Sequence, residues 1–223
     1  MRKQRLGVIV IGQSPRRECE ALLQQMLGPL VQIDLRGALD GMSRAEIDAC
    51  KPRDGADTLF TRLPDGSAAV ISKQAVTEGA QAQLDRFAAE GTDVTLMFCT
   101  GAFPGLQARG PVVFPSAILA GLAHGLLPQG KLGLMVPLPE QAEHLARKWE
   151  RPGVEVVAEA LVPGEESAID AAAERLRAQR PDLIVMDCMS YTQATKERVR
   201  RIVKARAVLA VTATARTIQE LLA

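Results

Sequence analysis

Short apolar runs alternate with amphipathic stretches along this whole chain, and that alternation admits few architectures. Strand-like runs occupy residues 6–11, 31–35, 68–71, 94–98, 112–114, 132–136, 154–157, 183–186 and 207–211. They are short, often β-branched, and bounded by Gly, Pro or Asp. Helical patterning fills 16–27, 44–49, 74–90, 117–126, 140–149, 165–179, 193–204 and 215–222. Within 165–179, Ile169, Ala172, Ala173 and Leu176 share one face, as in a helix lying on a sheet. Such a rhythm reads as an α/β fold, with parallel sheets flanked by helices. Only 51–66, rich in Asp, Gly, Pro and Arg, interrupts it, and reads as a hairpin-like excursion with an edge strand at 58–63. Two helix starts are marked. Ser43 with Glu46 spells a capping box, and Ser14-Pro15 reads as a cap followed by Pro at the first helical position.

Composition narrows the function classes. With 47% apolar residues among 223, the chain can bury a substantial core. A net charge of +1 and only 3% aromatics argue against nucleic acid and against an anionic membrane as partners. The basic run 196–201 alternates with apolar positions and reads as a solvated helix face. No phosphate-binding glycine motif follows a strand. No apolar run approaches the roughly 20 residues that cross a bilayer, and the first apolar stretch lacks the features of a signal peptide. The expectation is a cytoplasmic protein with reduced thiols. Cys19, Cys50, Cys99 and Cys188 show no CxxC spacing, and His124 and His144 have no partner at ligand spacing. No metal and no cofactor are therefore expected. Cys19 and Cys50 fall in helical stretches and read as core. His124 reads as a partner of a helix end, His144 as surface. A homo-oligomer is compatible with this reading.

The remaining cysteines share a context. Asp93 opens a run that ends in Phe98-Cys99-Thr100-Gly101, and Asp182 opens one that ends in Asp187-Cys188-Met189-Ser190-Tyr191-Thr192. Each passes through a buried-strand pattern and breaks at Cys. In parallel sheets both thiols would stand at carboxyl ends of strands, where open α/β folds place ligands. The repetition suggests two related lobes, each giving one cysteine to a shared cleft, where facing thiols form an acid/base pair. The plainer alternative is two small hydrophobes buried at strand ends.

These turns resemble those of the Asp/Glu/hydantoin racemase superfamily, which carries a Cys-Asn/Thr-Thr turn in the first half and Gly-Cys-Thr-x-Tyr in the second. The chain more closely resembles the AroM family, nearly end to end. The resemblance runs through Ile11-Gly12-Gln13-Ser14-Pro15-Arg16, Gly37-Ala38-Leu39-Asp40-Gly41-Met42-Ser43 and Met186-Asp187-Cys188-Met189. It implies two pseudo-symmetric lobes, residues 1–112 with 206–223 and residues 113–205, and a site in the cleft between them. It also implies cofactor-independent proton transfer at a carbon adjacent to a carboxylate: racemisation, isomerisation or decarboxylation of a small carboxylate-bearing molecule. Here Thr100-Gly101 follows the first cysteine, and Asp187 stands where the superfamily has Gly.

In that chemistry one thiolate removes a proton and one thiol returns it. Cys99 is assigned as the resting base and Cys188 as the resting acid, because a carboxylate at Asp187 favours a neutral thiol. Asp187 is otherwise a turn or capping carboxylate. Three places offer groups for the substrate carboxylate. They are Gly12, Gln13, Ser14 and Arg16 before a helix; Thr100 and Gly101; and Ser190, Tyr191 and Thr192. A competing reading keeps the ligand and drops the reaction: a non-catalytic small-acid binder or regulatory protein associated with aromatic amino-acid metabolism.

Overall fold

The computed structural model describes residues 3–222. The chain divides into two compact units, residues 1–115 with 214–223, and residues 116–213. The first unit contains β1 (Gln4–Val10), α1 (Arg17–Leu27), β2 (Val31–Gly37), α2 (Arg44–Ala49), β3 (Thr58–Arg62), β4 (Ala68–Ser72), α3 (Lys73–Ala89), β5 (Val94–Phe98) and β6 (Val112–Val113). The second is built from α4 (Pro115–Leu126), β7 (Gly130–Val136), α5 (Pro139–Trp149), β8 (Val154–Ala160), a 3₁₀ turn (Glu166–Ala168), α6 (Ile169–Ala178), β9 (Leu183–Met186), α7 (Gln193–Val203) and β10 (Arg206–Leu209). The last helix, α8 (Ala210–Leu222), spans the boundary in sequence.

Each unit holds a four-stranded, all-parallel sheet, ordered β2-β1-β5-β6 in one and β8-β7-β9-β10 in the other. The two orders are the same. The first strand of each sheet lies between the second and the third, and the fourth pairs outside the third. Strand β1 pairs with β2 from Gln4↔Val31 to Val10↔Gly37, and with β5 from Leu6↔Val94 to Val10↔Phe98. Strand β7 pairs with β8 up to Val136↔Ala160 and with β9 up to Met135↔Met186. The order therefore reverses between β1 and β5, and again between β7 and β9. Ligands of open α/β sheets bind at the carboxyl ends of strands at such a reversal.

The local reasons are visible in the residues. Leu6, Val8, Ile9 and Val10, like Leu132, Leu134, Met135 and Val136, are buried continuously, as befits parallel strands covered on both faces. The Ser43–Glu46 capping box forms as read. Gly79 in α3 lies so close to Ala38 that a Cβ would sit 1.8 Å from the Ala38 carbonyl oxygen, so only glycine fits. The 51–66 excursion does become a hairpin, β3 antiparallel to β4. Thr58, Leu59, Phe60 and Thr61 are buried, and Leu59 and Ile71 join an apolar cluster with Ile9, Phe87, Met97 and Cys99.

Three sequence expectations are corrected. Helix α1 starts at Arg17, not at Pro15, and its cap Arg16 makes no side-chain cap bond. The Ser14 N–H and hydroxyl are instead given to Asp40. The 207–211 strand ends at Leu209, and Ala210 and Val211 already belong to α8. Both are buried there, and a short buried run has the same pattern in a strand as in a helix. Strand β10 pairs with β9 at the edge of the second sheet. Cys50 is not core but half-buried at the end of α2, its S–H donating to the Glu46 carbonyl, whereas Cys19 is buried as read.

Candidate functional site

In the first unit β5 does not feed a helix. Cys99 is the first residue past the strand, and its N–H bonds back to the Met97 carbonyl at 2.7 Å. Two residues on, the Gly101 N–H donates to the Cys99 Sγ at 3.3 Å. The turn is packed closely. A Cβ on Gly101 would sit 3.2 Å from Leu59 Cδ2, 3.3 Å from Phe103 Cε2 and 3.4 Å from the Cys99 sulfur. A small residue thus lets the backbone wrap an amide onto the thiol, and Thr100 between them is buried. An N–H aimed at sulfur stabilises negative charge there.

The neighbouring strand β1 runs into Gly12–Arg16, which the protein itself holds. The Gly12 carbonyl accepts from the Leu39 N–H, and Gln13 Nε2 donates to the carbonyls of Leu39 and Met42. Asp40 accepts the Ser14 N–H at 2.7 Å, the Ser14 hydroxyl at 2.8 Å and the Gly37 N–H at 2.7 Å. Arg16 is buried, with Nε on Glu18 and Nη1 on the Arg62 carbonyl at 2.8 Å. Burial alone would raise the Glu18 pKa, but the Arg16 bond and charge and a backbone bond hold it below the ordinary carboxylate value. The hairpin braces this loop too, since a Cβ on Gly12 would sit 2.8 Å from Thr61 Oγ1. The structure therefore brings Gly12–Arg16 and Cys99–Gly101 to the carboxyl ends of adjacent strands. It engages the side chains of Gln13, Ser14 and Arg16 with protein groups.

In the second unit Asp187 extends the ladder by giving its N–H to the Met135 carbonyl at 2.9 Å, and Cys188 follows. Asp187 is 1% exposed, and its Oδ2 accepts the indole N–H of Trp149 at 3.1 Å. The Tyr191 N–H reaches the Cys188 carbonyl at 3.4 Å and closes a turn. The Tyr191 hydroxyl donates to the Leu161 carbonyl at 2.6 Å. Burial, then the neighbouring Cys188 and Asp187, push the phenol well above its ordinary pKa, so it stays a neutral donor. Thr192 Oγ1 caps α7 by accepting the Thr195 N–H at 3.1 Å, and Ser190 is half-buried. The first helical residue is Gln193, five positions past Cys188, so the helix start does not immediately follow that thiol.

Sequence reasoning missed several groups that position these turns: Asp40, Thr61, Arg62, Trp149 and the Leu161 carbonyl. Asp40 lies within the Gly37–Ser43 motif that carries the family resemblance. Trp149 is the single tryptophan of the chain, and a buried indole N–H needs an acceptor. The hairpin and Leu161 carried no chemical signature. Among the described residues no three His, Cys, Asp or Glu side chains are grouped as metal ligands would be, and no helix is long and apolar enough to cross a membrane.

A family model described as AroM protein matches residues 6–222. No curated protein matches the chain. Among solved structures, the maleate cis-trans isomerase of Nocardia farcinica is similar with a TM-score of 0.63 at 18% identity, covering 98% of this chain and 92% of the isomerase. The allantoin racemase from Klebsiella pneumoniae gives 0.62 at 17% identity, over 98% and 87%. The glutamate racemase from Aquifex pyrophilus gives 0.61 at 15% identity, over 99% and 84%. These likenesses show a shared racemase-type fold.

Proposed function

The chain belongs to the AroM family, and from that premise we propose that it moves a proton at a carbon adjacent to a carboxylate, without a cofactor, using Cys99 and Cys188. The observation that carries the reading is the Gly101 N–H on the Cys99 sulfur. A free thiol ionises near about pH 8.5, so only a few per cent is thiolate at neutrality unless its surroundings help. At Cys99 an amide supplies that help. Cys188 follows the third strand of its sheet, as Cys99 does, but beside a buried carboxylate that opposes a second negative charge. Cys99 is then the resting base and Cys188 the resting acid.

In the reaction the Cys99 thiolate takes the proton from the carbon, and the electron pair of that C–H bond delocalises into the carboxylate. The Cys188 S–H then gives its proton to the opposite face of the same carbon, leaving Cys99 as thiol and Cys188 as thiolate. Thr100, Gly101, Ser190 and the Gly12–Gln13 backbone are assigned to the substrate carboxylate, with Asp187 tuning its neighbouring thiol. Two of the structural relatives are named for glutamate and maleate, which supports a small carboxylate as substrate class.

Small carboxylic acids incubated with the protein in heavy water test this reading. The wild type should label the carbon next to the carboxylate, and Cys99→Ala and Cys188→Ala should each lower the exchange rate by about a hundredfold or more. Thermal stabilisation by the same acids without any labelling would replace the reaction with simple binding.

A further inference from the structure

At the opposite end of β9 from Cys188, a hollow of about 480 Å³ is lined by Pro181, Asp182, Arg200, Lys204, Ala205 and Arg206. We propose that this hollow is a binding site for a phosphoryl group, held by Arg200, Lys204 and Arg206.

Three observations lead there. First, most arginines of this unit are engaged. Arg147, Arg175, Arg177 and Arg198 hold carboxylates, and Arg151 holds the carbonyls of Ala123 and Leu127. The three cations of the hollow have no carboxylate at ion-pair distance among the described residues. The one acid beside them, Asp182, turns its Oδ2 to the Lys131 N–H at 2.8 Å. Second, Arg200 and Lys204 stand four apart at the end of α7, where like charges repel along one helix face. Cations do favour a helix carboxyl end, but Arg206 opens a strand and gains nothing from that dipole. Third, Lys204 terminates α7 in the left-handed conformation, φ 62°, which glycine adopts without cost. A lysine there gives up local ease and adds charge. The sharp turn leaves only Ala205 between Lys204 and Arg206, so both flank the same depression.

A cluster of unneutralised cations in a concave site calls for a multivalent anion. Two guanidinium forks and an ammonium suit the several oxygens of a phosphoryl group. Free phosphate and a small phosphomonoester share this chemistry. Both differ from the carboxylate substrate class proposed above, and the two sites lie beyond opposite ends of one strand.

The test is titration of the full chain with inorganic phosphate and, separately, glycerol 3-phosphate at constant ionic strength, read by calorimetry and by the thermal midpoint. Saturable binding is expected for the wild type. Arg200→Ala and Arg206→Ala should each weaken it by about tenfold or more. Lys204→Gly relieves the backbone while removing the charge. It should melt at or above the wild-type midpoint without ligand and still bind phosphate several-fold more weakly. Tighter binding of glycerol 3-phosphate than of phosphate would identify a phosphomonoester as the ligand. The proposal is overturned if chloride at matched ionic strength gives the same midpoint shift, or if Lys204→Gly and Arg206→Ala bind phosphate like the wild type.

Discussion

The two units share a strand order, yet the turns after their third strands differ in chemistry. In the first, a backbone amide points at the Cys99 sulfur, within a turn lined by Leu59 and Phe103. In the second, the residue before Cys188 is a buried carboxylate fastened to an indole. One setting favours a charged sulfur, and the other discourages it. Topology repeats a position, while side chains and turn geometry give the two sulfurs different surroundings. The proposed acid and base roles rest on that difference, since groups whose surroundings push their ionisation apart can divide the two tasks. The bracing differs as well. The first unit inserts the β3–β4 hairpin between its second and third strands, and that hairpin touches Gly12, Arg16 and Gly101. The second unit uses Trp149 and Tyr191.

The largest expected effect tests the second unit's brace. Trp149→Phe keeps an aromatic ring and deletes the N–H that serves Asp187. Losing a hydrogen bond to a buried charged group costs about 1.5–3 kcal/mol. The thermal midpoint should fall by several degrees, since about 1 kcal/mol moves a chain of this size by roughly 2–4 °C. An unchanged midpoint would mean that Asp187 is held by other contacts.

Next come the thiols themselves, in variants expected to move in opposite directions. Asp187→Asn removes the charge beside Cys188, so alkylation of Cys188 at neutral pH should quicken by about tenfold, the equivalent of one pKa unit. Gly101→Ala forces Leu59, Phe103 or the sulfur to give way by a few tenths of an ångström, loosening the amide on Cys99. Alkylation of Cys99 should slow several-fold, with Cys188 unaffected. Mass spectrometry of labelled peptides separates the sites. Cys19 provides an internal reference, because burial pushes its thiol up to about 12 and leaves it unreactive near neutrality. Equal responses of Cys99 and Cys188 to both variants would erase the distinction between the units.

Much of this arrangement was readable from the chain alone. Buried runs such as 94–98 and 183–186 carry their own pattern, because parallel strands covered on both faces leave no polar alternation to obscure them. The cysteines at their ends were readable for the same reason. The hidden part lies where the backbone supplies the chemistry. The Gly101 amide, the Leu161 carbonyl and the Met135 carbonyl leave no mark on residue identity. Nor does pairing between distant residues: Trp149 and Asp187 are 38 positions apart, and Ser14 and Asp40 are 26 apart. The Ser14-Pro15 cap does not form on this account, because a distant carboxylate takes both the N–H and the hydroxyl of the serine.

The smallest expected effect asks whether the hairpin stabilises the first unit as an electrostatic joint. Asp57 accepts the Arg53 N–H, the Ser72 hydroxyl and the Gln74 N–H, tying the hairpin to the start of α3. Burial alone would raise its pKa, but those bonds and the Arg53 charge hold it below the ordinary aspartate value. A carboxylate depressed by folding contributes stability that is present above its unfolded pKa of about 3.9 and is lost as pH falls through the lower folded value. Asp57→Asn should therefore cost a few tenths to about 1 kcal/mol at pH 7. Its stability should also decline less steeply than the wild type's below about pH 4. Urea titrations at pH 7 and pH 3 measure both quantities. Parallel losses at the two pH values would show that Asp57 acts through shape and hydrogen bonding alone. The hairpin would then owe its hold on the Cys99 turn to the packing of Leu59 and Ile71.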